Sequence, residues 1–310
     1  MGLELKNDFA SVNRKSHKLL YRSEMDYYNK FNRFGVLDPY SAFENSKEYI
    51  FFTKPDLQLL ETSGELKPQL KNNPFFIEAK LRYPDIFKQL QSSINKDPFI
   101  KLLSNTVTSS VDLPSVIAEE VTNSSNIYGD TISYRWHSSG SNGEHEFSLE
   151  FDDDKYLEVY HLFKVWDKYC NEKTKGNIRT PEHFVLNKIL HDQISVYKII
   201  VGEDRETILF YAKLTGVYPK NVPREAFSSL DEKGGLKLNV NFKASFVEDM
   251  HPEIIDDFNE LVSGINSSNK NIPIYNKEYM DVNGDWVNTP YIVKANKEFG
   301  PGYRYKLKWR

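Results

Sequence analysis

Two places in the sequence carry residue types that could perform acid–base or nucleophilic catalysis. Cys170 could act as a nucleophile with His161 or His183 as its base, and His191 followed by Asp192 resembles a general base with an orienting carboxylate. Cys170 falls on the apolar stripe of a predicted helix, which indicates a buried and unreactive thiol. Histidines near helix ends are more often surface residues, so we predict no catalytic residue here.

Carboxylates concentrate within ten residues of the later part of the chain and could form a glycosidase-like pair. The five acids are Glu248, Asp249, Glu253, Asp256 and Asp257. Pro252 also suits the first position of a short helix, and acids near a helix start interact favourably with its dipole. We therefore expect a capped helix, and keep a cell-wall hydrolase or carbohydrate-binding module using residues 248–257 as the alternative.

Three further groups could bind a cation, but none has a complete set of ligands. The run at residues 152–154 leads straight into a predicted helix, and the Asp281, Asn283, Asp285 spacing lacks the distal glutamate of a calcium loop. His137 and His145 have no third ligand. No phosphate-binding glycine loop occurs. We predict no metal site, no cofactor and no catalytic residue.

Composition excludes several classes of function. The 310 residues carry a formal net charge of −4, which gives no general basic field for nucleic acid. The single cysteine excludes an internal disulfide framework. No apolar stretch has the length of a membrane span and no secretory signal is evident, so we expect no membrane insertion and synthesis in the cytoplasm.

Strand and helix patterns predict an α+β fold. Between residues 236 and 246 apolar and polar residues alternate, which is typical of a sheet with one solvated face. Strands are also predicted at 195–201 and 207–218, and helices at 152–173 and 252–259. Residues 130–137 and 144–151 are predicted to pair as a hairpin.

These patterns predict that the chain has two regions. Residues 1–105 contain helical spacings interrupted by prolines, which predicts a mainly helical or irregular region with a short strand at 49–53. Residues 106–310 are predicted to form a β-rich domain with a helical insert at 152–192. The polar stretch at 105–143 is expected to be a boundary or a mobile connection.

The order of these elements resembles virion structural proteins of tailed bacteriophages, in particular the tail-tube family and its relatives at the baseplate end of the tube. The resemblance covers residues 130–260. It includes EFSLEFDDDKYLEVYHLFKVWDKY, the strands that follow, and most specifically the Gly-Val-Tyr-Pro…Val-Pro turn at 216–223. The longer N-terminal region and the insert depart from plain tube subunits, which favours a baseplate ring, a tube initiator or a terminator.

The resemblance implies a β-sandwich or partial barrel with packed helices whose strand edges join in a hexameric ring, forming the wall of a channel. Implied partners are copies of the chain, other tail or baseplate proteins, and DNA that passes through without specific binding. The implied location is the virion tail. The candidate interface residues are Tyr218, Pro219, Val222, Pro223, Lys237, Asn239, Asn241 and Lys243. A host α+β adaptor without a virion role is the third hypothesis.

Overall fold

The computed structural model describes residues 46–61, 63–91, 98–114, 117–122, 133–139, 145–180, 182, 185, 191–202, 204–224, 236–263, 290–295 and 304–309. The chain divides into two compact units, Met1–Lys47 with Gly202–Arg205 and Glu48–Val201 with Glu206–Arg310. In the smaller unit, the Arg205 N–H donates to the Gly202 carbonyl at 2.9 Å. The domain division predicted at residue 105 stays a prediction.

The described elements comprise strands and helices in an α+β arrangement. The strands are β1 (Lys47–Phe52), β2 (Ile117–Thr122), β3 (Ser133–Ser139), β4 (His145–Asp153), β5 (Ile194–Val201), β6 (Ile208–Pro219), β7 (Leu236–Ala244), β8 (Phe246–Asp249), β9 (Pro290–Ala295) and β10 (Arg304–Trp309). The helices are α1 (Pro68–Lys71), α2 (Pro74–Arg82), α3 (Pro84–Gln89), α4 (Lys101–Thr106), α5 (Glu158–Thr174) and α6 (Pro252–Ser263). None of these helices has the length and apolar character needed to cross a membrane.

The main sheet has six strands in the order β1-β5-β6-β7-β4, with β8 also paired to β6. The pairings of β4 with β7, and of β6 with β5, β7 and β8, are antiparallel. The sheet is not closed into a barrel. The strands β9 and β10 form one separate antiparallel pair, and β2 and β3 form another. The predicted α+β fold with an antiparallel sheet and packed helices is confirmed.

A corner at Gly216 and Ser245 interrupts the main sheet. The β6 strand pairs with β8 on one side of this corner and with β7 on the other. Gly216 has a φ of +70°, and a Cβ atom there would lie 2.7 Å from Ser245 Oγ. Ser245 N–H donates to the Thr215 carbonyl at 3.0 Å. Glycine is therefore required here both by the backbone conformation and by the close approach of the two strands.

The corner shifts the inside–outside alternation by one residue. Before it, Phe242 and Ala244 are buried, as the predicted alternation requires. After it, the half-buried residue is Val247, whereas Phe246 is 56% exposed. The alternation predicted for 236–246 is therefore confirmed up to Ala244 and wrong at Phe246, because an interruption of one residue reverses the face to which later side chains point.

Two hydrophobic clusters cover the two faces of the sheet. The larger contains Phe242, whose ring centroid lies 5.5–6.3 Å from those of four other phenylalanines. Those four are Phe52, Phe147, Phe151 and Phe163. The smaller cluster packs Ile254, Ile255 and Phe258 of α6 on the opposite face. Truncating a fully buried phenylalanine such as Phe242 to alanine costs about 3–5 kcal/mol.

The acidic run at 152–154, which leads into a predicted helix, caps α5. Asp153 Oδ1 accepts from the Val159 N–H at 3.0 Å, and its Oδ2 accepts from the Tyr160 N–H at 3.0 Å. Asp154 Oδ1 accepts from the Tyr156 N–H at 2.9 Å. These acceptors satisfy N–H groups that have no partner inside the helix. The helix nevertheless begins at Glu158 and not at residue 152, because β4 continues to Asp153.

Several other predicted elements are present, and one pairing is wrong. The strands predicted at 49–53, 195–201 and 207–218 are confirmed as β1, β5 and β6. The hairpin predicted between 130–137 and 144–151 is wrong, because β3 pairs with β2 and β4 pairs with β7. Helix 252–259 is confirmed and extends to Ser263. The helix predicted within residues 180–192 lies largely outside the described residues.

Candidate assembly surface

The outer edge of β1 is occupied by a segment of the same chain, residues 99–112, here called the edge segment. The Ile100 N–H donates to the Phe52 carbonyl at 2.7 Å. Phe99 forms an isolated bridge with Thr53. The Ser104 hydroxyl accepts from the Phe52 N–H at 3.4 Å. The β1 edge at Phe52 and Thr53 is therefore not available for another strand.

The same segment continues to the outer edge of β4. Val107 forms an isolated bridge with Phe151, and the Thr108 N–H donates to the Glu150 carbonyl at 2.9 Å. The Ser109 hydroxyl accepts from the Glu150 N–H at 2.8 Å. The edge segment thus hydrogen-bonds to both ends of the sheet. The expectation of a mobile connection is wrong for residues 107–111, because their backbone and hydroxyl groups bond to β1, β4 and Lys198 of β5, whereas the expected boundary stays a prediction.

A buried lysine anchors the far end of the edge segment. Lys198 on β5 is 8% exposed, and its Nζ donates to the Ser110 hydroxyl at 2.9 Å and to the Val111 carbonyl at 2.6 Å. Glu48 on β1 lies 3.4 Å from the same Nζ and accepts from the Val111 N–H at 3.1 Å. A buried ammonium group needs such partners because its desolvation is costly. The network joins β1, β5 and the edge segment.

The β9–β10 pair also has its outer edges contacted by its own chain. Asn259 on α6 accepts from the Ile292 N–H and donates to the Ile292 carbonyl, both at 2.8 Å. On the other side, the Leu307 N–H donates to the Glu206 carbonyl at 2.8 Å, and Thr207 forms an isolated bridge with Lys306. A side-chain amide that satisfies both backbone groups of one residue blocks strand addition at that point.

Among the described strands of the main sheet, β8 differs from β1 and β4 because no described segment hydrogen-bonds to one of its edges. One edge of β8 pairs with β6 through four residue pairs, from Thr215 with Phe246 to Ala212 with Asp249. No strand pairs with the other edge among the residues that the structure describes. We call this the open edge. Phe246 is 56% exposed and the adjoining Met250 is 52% exposed, so apolar surface accompanies the unpaired backbone.

The open edge is acidic. Glu248 and Asp249 are exposed on β8, and the neighbouring helix α6 exposes Glu253, Asp256 and Glu260. His251 lies 3.8 Å from Glu253. The other four carboxylates form no ion pair with any described residue. The fifth residue of the predicted acidic group, Asp257, has a different environment: it accepts hydrogen bonds from Tyr197 Oη and, at 2.6 Å, from Lys213 Nζ.

The predicted interface residues of β7 are spread along the β4–β7 pair, from Lys237 opposite Asp152 to Lys243 opposite Glu146, and Tyr218 and Pro219 lie beside its Lys243 end. Tyr218 pairs with Lys243 and Pro219 with Phe242. The Asn241 N–H donates to Asn221 Oδ1 at 2.7 Å. β4 lies along one edge of β7, and the end of β6 lies along the other edge. The predicted residues of β7 are therefore exposed on a face of the sheet and do not form a strand edge.

That face, here called the polar face, is balanced in charge. The predicted residues on it are Lys237, Asn239, Asn241 and Lys243, of which the first three are exposed and the last is half-buried. Lys237 Nζ lies 2.5 Å from Glu150, and Lys220 Nζ lies 2.7 Å from Glu146. The Lys220 ammonium lowers the pKa of Glu146, and the Glu150 carboxylate raises the pKa of Lys237. Of the other predicted residues, Tyr218, Pro219 and Val222 are half-buried and Pro223 is buried.

The residues considered for catalysis are separate from one another or occupied in structural contacts. His161 stacks on Tyr83 with ring centroids 4.3 Å apart, whereas Cys170 lies nine positions further along α5, with its Sγ 3.8 Å from Asp192. Burial and the Asp192 carboxylate raise the pKa of the Cys170 thiol to about 12. A thiol with this pKa is a weak nucleophile at neutral pH.

His191 and Asp192 hold the start of β5 against α5. His191 is 4% exposed, and Tyr169 Oη lies 3.3 Å from its Nε2. The Asp192 carboxylate lies 3.1 Å from Lys173 Nζ, and its carbonyl accepts from Trp166 Nε1 at 3.0 Å. Across the part of the chain that is described, no three His, Cys, Asp or Glu side chains group as a metal site. The calcium-like spacing at 281–285 and His183 lie outside that part.

The sequence-based interpretation misses the residues of the open edge. The alternation predicts Phe246 on the buried face, and it gives no role to Met250. Gly216 is the available signal, because a glycine within a strand often marks a bulge or a close approach of two strands. The residues that occupy the β1 and β4 edges, such as Ser104 and Ser109, have no distinguishing signal in the sequence.

Comparisons with known proteins give weak similarities. No protein-family model matches the sequence, and no curated protein matches it. Among solved structures, the sheath/tube terminator of the PVC extracellular contractile injection system has a TM-score of 0.27 at 10% identity, over 50% of this chain and 89% of that chain. The tube-terminating cap of the anti-feeding prophage has a TM-score of 0.28 at 8% identity, over 50% and 83%.

A third solved structure, the PVC sheath–tube complex, has a TM-score of 0.25 at 11% identity, over 46% of this chain and 78% of that chain. According to their descriptions, two belong to an extracellular contractile injection system and the other is the tube-terminating cap of the anti-feeding prophage. TM-scores of this size are too low to establish a common fold. The proposals that follow therefore rest on the residues of this chain.

Proposed function

We propose that the chain is a non-enzymatic structural subunit of a bacteriophage tail or tail-like particle. Its place is the tube, a tube initiator or terminator, or a baseplate ring, where copies form a hexameric ring around a channel. The observation that carries this proposal is the open edge of β8 in a sheet whose outer strands β1 and β4 are contacted by their own chain.

Unpaired strand edges are a liability for a protein that acts alone. An edge offers N–H and carbonyl groups to any other strand, and proteins usually block such edges with loops, charges or prolines. Here the edge segment blocks β1 and β4, whereas no described strand pairs with the second edge of β8, beside exposed Phe246. A strand pairing between subunits would use this edge and bury that side chain. This arrangement favours assembly as the role of the sheet.

Charge also supports passage of DNA without specific binding. The formal net charge is −4, so the surface of the chain as a whole has no excess of positive charge. A channel wall built from such surfaces would not bind a polyanion tightly, whereas one lined with unpaired lysine would. Tyr218, Pro219, Val222, Pro223 and the polar face remain the proposed lateral contact between copies. The proposed location is the virion tail, with assembly in the bacterial cytoplasm.

The hydrolase alternative has no support from the positions of the carboxylates. Glu248 and Asp249 are both exposed on β8. Asp257, the half-buried member of the group, is bound to Tyr197 and Lys213. A glycosidase needs two carboxyl groups facing one substrate from both sides. We therefore propose no catalytic role.

Light scattering and electron microscopy of the purified chain test the proposal. We expect ring-shaped oligomers whose population rises with protein concentration. Phe246→Ser should weaken assembly while leaving the melting temperature close to that of the wild type, because the side chain is 56% exposed. Leu81→Ser is the matched control, since Leu81 is 79% exposed on α2, outside the open edge. A wild-type chain that stays monomeric at every concentration would refute the proposal.

A further inference from the structure

We infer that α2 carries a second contact surface, at which the outer faces of two copies of the helix pack antiparallel across a two-fold axis. This surface shares no residue with the open edge or the polar face, so it does not depend on how the proposed ring forms. Three observations carry the inference. They are an apolar row on the exposed side of α2, a charged row beside it, and a balance of charge that suits the same face of a second copy.

The helix α2 has apolar residues on both of its sides. Phe76 and Ala79 are buried in the larger hydrophobic cluster. Ile77 and Leu81 are 42% and 79% exposed, and a spacing of four residues puts them in one row on the outer side. A surface helix of a globular protein usually has polar residues on its outer side, and a helix that is apolar all round is usually buried. The outer side of α2 therefore has the composition of a covered surface.

The longer helix α5 has the usual arrangement. Its exposed residues are Asp167, Asn171 and Thr174, which are all polar. On α2, by contrast, Leu81 has the largest exposed fraction among the large apolar side chains that the structure describes. Removing this side chain and Ile77 from water is favourable because both are fully apolar. The apolar row is thus the part of α2 that gains from a partner.

A charged row lies directly beside the apolar row. Glu78 and Arg82 follow the two apolar residues by one position each, and they form an ion pair at 2.7 Å with side chains 64% and 66% exposed. The next helix, α3, pairs exposed Asp85 with Lys88 at 2.8 Å. The exposed charges of α2 and α3 therefore cancel. Such a surface does not attract a strongly charged partner such as DNA or a basic protein segment.

An antiparallel arrangement suits both rows of α2. When two copies of the helix meet through the apolar row and run in opposite directions, their charged rows lie on the same side of the contact. Glu78 of each copy then faces Arg82 of the other copy, and Ile77 faces Leu81. A parallel arrangement would place the two charged rows on opposite sides of the contact. The self-complementary, two-fold contact is also the commonest kind in protein dimers.

The size of the contact determines how strongly it can act. Because α2 has nine residues, two single copies should form only a weak dimer, half-associated at about 0.1–1 mM protein. Where the proposed ring forms, every copy presents the same face, so the contacts between two rings add and association becomes much tighter. The α2 surface is therefore suited to joining rings that have already formed.

A charge-exchange experiment tests the contact. The chain that carries Phe246→Ser is used, so that ring assembly does not interfere, and analytical ultracentrifugation measures its dimer. Adding Glu78→Arg places arginine against arginine at the contact, and adding Arg82→Glu places glutamate against glutamate. Each change should raise the concentration for half-dimerisation about tenfold. An equal mixture of the two variants should recover the dimer, because every charged position then faces the opposite charge.

Two kinds of control accompany these variants. Glu206→Arg and Lys306→Glu make the same changes of charge at another exposed ion pair, at 3.3 Å, and should leave the dimer unchanged both alone and mixed. Leu81→Ser should remove the dimer and leave ring formation by the otherwise wild-type chain intact, because Leu81 lies outside the open edge. If rings persist in the Phe246→Ser chain, the same comparison is made on the pairing of rings in electron micrographs.

Each outcome supports or overturns the inference. Weaker dimers in both charge variants, with recovery in their mixture, support it. A Phe246→Ser chain that is still monomeric at about 1 mM overturns it, as does a dimer that Leu81→Ser leaves unchanged. Equal effects of the control pair overturn it too, since the attraction would then be general.

The remaining measurements separate this inference from the alternatives. A monomer that floats with neutral lipid vesicles would assign the apolar row to a lipid surface and overturn the inference. The proposed function is judged independently, from the rings of the wild-type chain. Circular dichroism of each variant verifies that the chain is folded.

Discussion

Replacing Gly216 by alanine tests the corner of the main sheet. Gly216 has a φ of +70°, which costs a residue with a Cβ atom about 1–2 kcal/mol. The new Cβ would also lie 2.7 Å from Ser245 Oγ and 2.9 Å from Ser245 Cβ. Crowding of this kind adds about 1–3 kcal/mol. We therefore expect Gly216→Ala to lower the free energy of unfolding by about 2–5 kcal/mol.

Urea denaturation of three alanine variants separates the two contributions. Gly64 and Gly176 have φ values of +78° and +77°, but a Cβ there would meet no atom within 4 Å. Gly64→Ala and Gly176→Ala should therefore cost only the conformational part, about 1–2 kcal/mol. Adding Ser245→Gly should reduce the cost of Gly216→Ala toward that of the controls. If Gly216→Ala costs no more than Gly64→Ala, the reasoning about the corner is refuted.

Two further predictions concern α5. Asp153→Ala should lower the free energy of unfolding by about 1–2 kcal/mol, because it removes the cap of the helix. The control Asp152→Ala, at an exposed position, should change the free energy of unfolding by less than about 0.5 kcal/mol. Equal effects of the two changes in urea denaturation would contradict the capping role of Asp153. Burial, together with the positive charges of Lys164 and Arg82, lowers the pKa of His161 in the folded protein. The unfolded chain, in which the pKa of histidine is about 6.5, therefore binds a proton at His161 more readily. The free energy of unfolding consequently falls as the pH falls through about 6.5. His161→Phe should flatten the stability profile between about pH 7.5 and 5.5, measured by urea denaturation, and an unchanged profile would contradict this assignment.

Local patterns in the sequence predict the elements but not their neighbours. The alternation at 236–244, the cap of α5 and the buried face of α6 each depend on residues close together in the chain, and all three are present. The pairing of β4 with β7 joins segments far apart in the chain, such as Ser148 with Asn241, and it depends on which hydrophobic faces meet in the folded core. No local pattern distinguishes that partner from β3.

The open edge is hidden from the sequence for a different reason. A single interruption at Ser245 reverses the exposed face of β8, and its effect depends on the facing Gly216, which lies on another strand. The occupied edges of β1 and β4 depend on hydroxyl groups of Ser104 and Ser109, whose residue type is equally common in loops. The candidate interface of the polar face follows from the resemblance to tail-tube proteins, and its role stays a prediction.

The position of β1 in the main sheet has a consequence for synthesis on the ribosome. β1 neighbours β5, and the Ser195 N–H donates to Thr53 Oγ1 across a separation of 142 residues. At about 5–20 residues per second, roughly 7–30 s pass between the synthesis of the two strands. During that time Ile50, Phe51 and Phe52, which are all buried in the folded protein, lack their partner strand. The nascent chain is therefore prone to aggregation at this stretch, which offers apolar surface for a holding chaperone to cover.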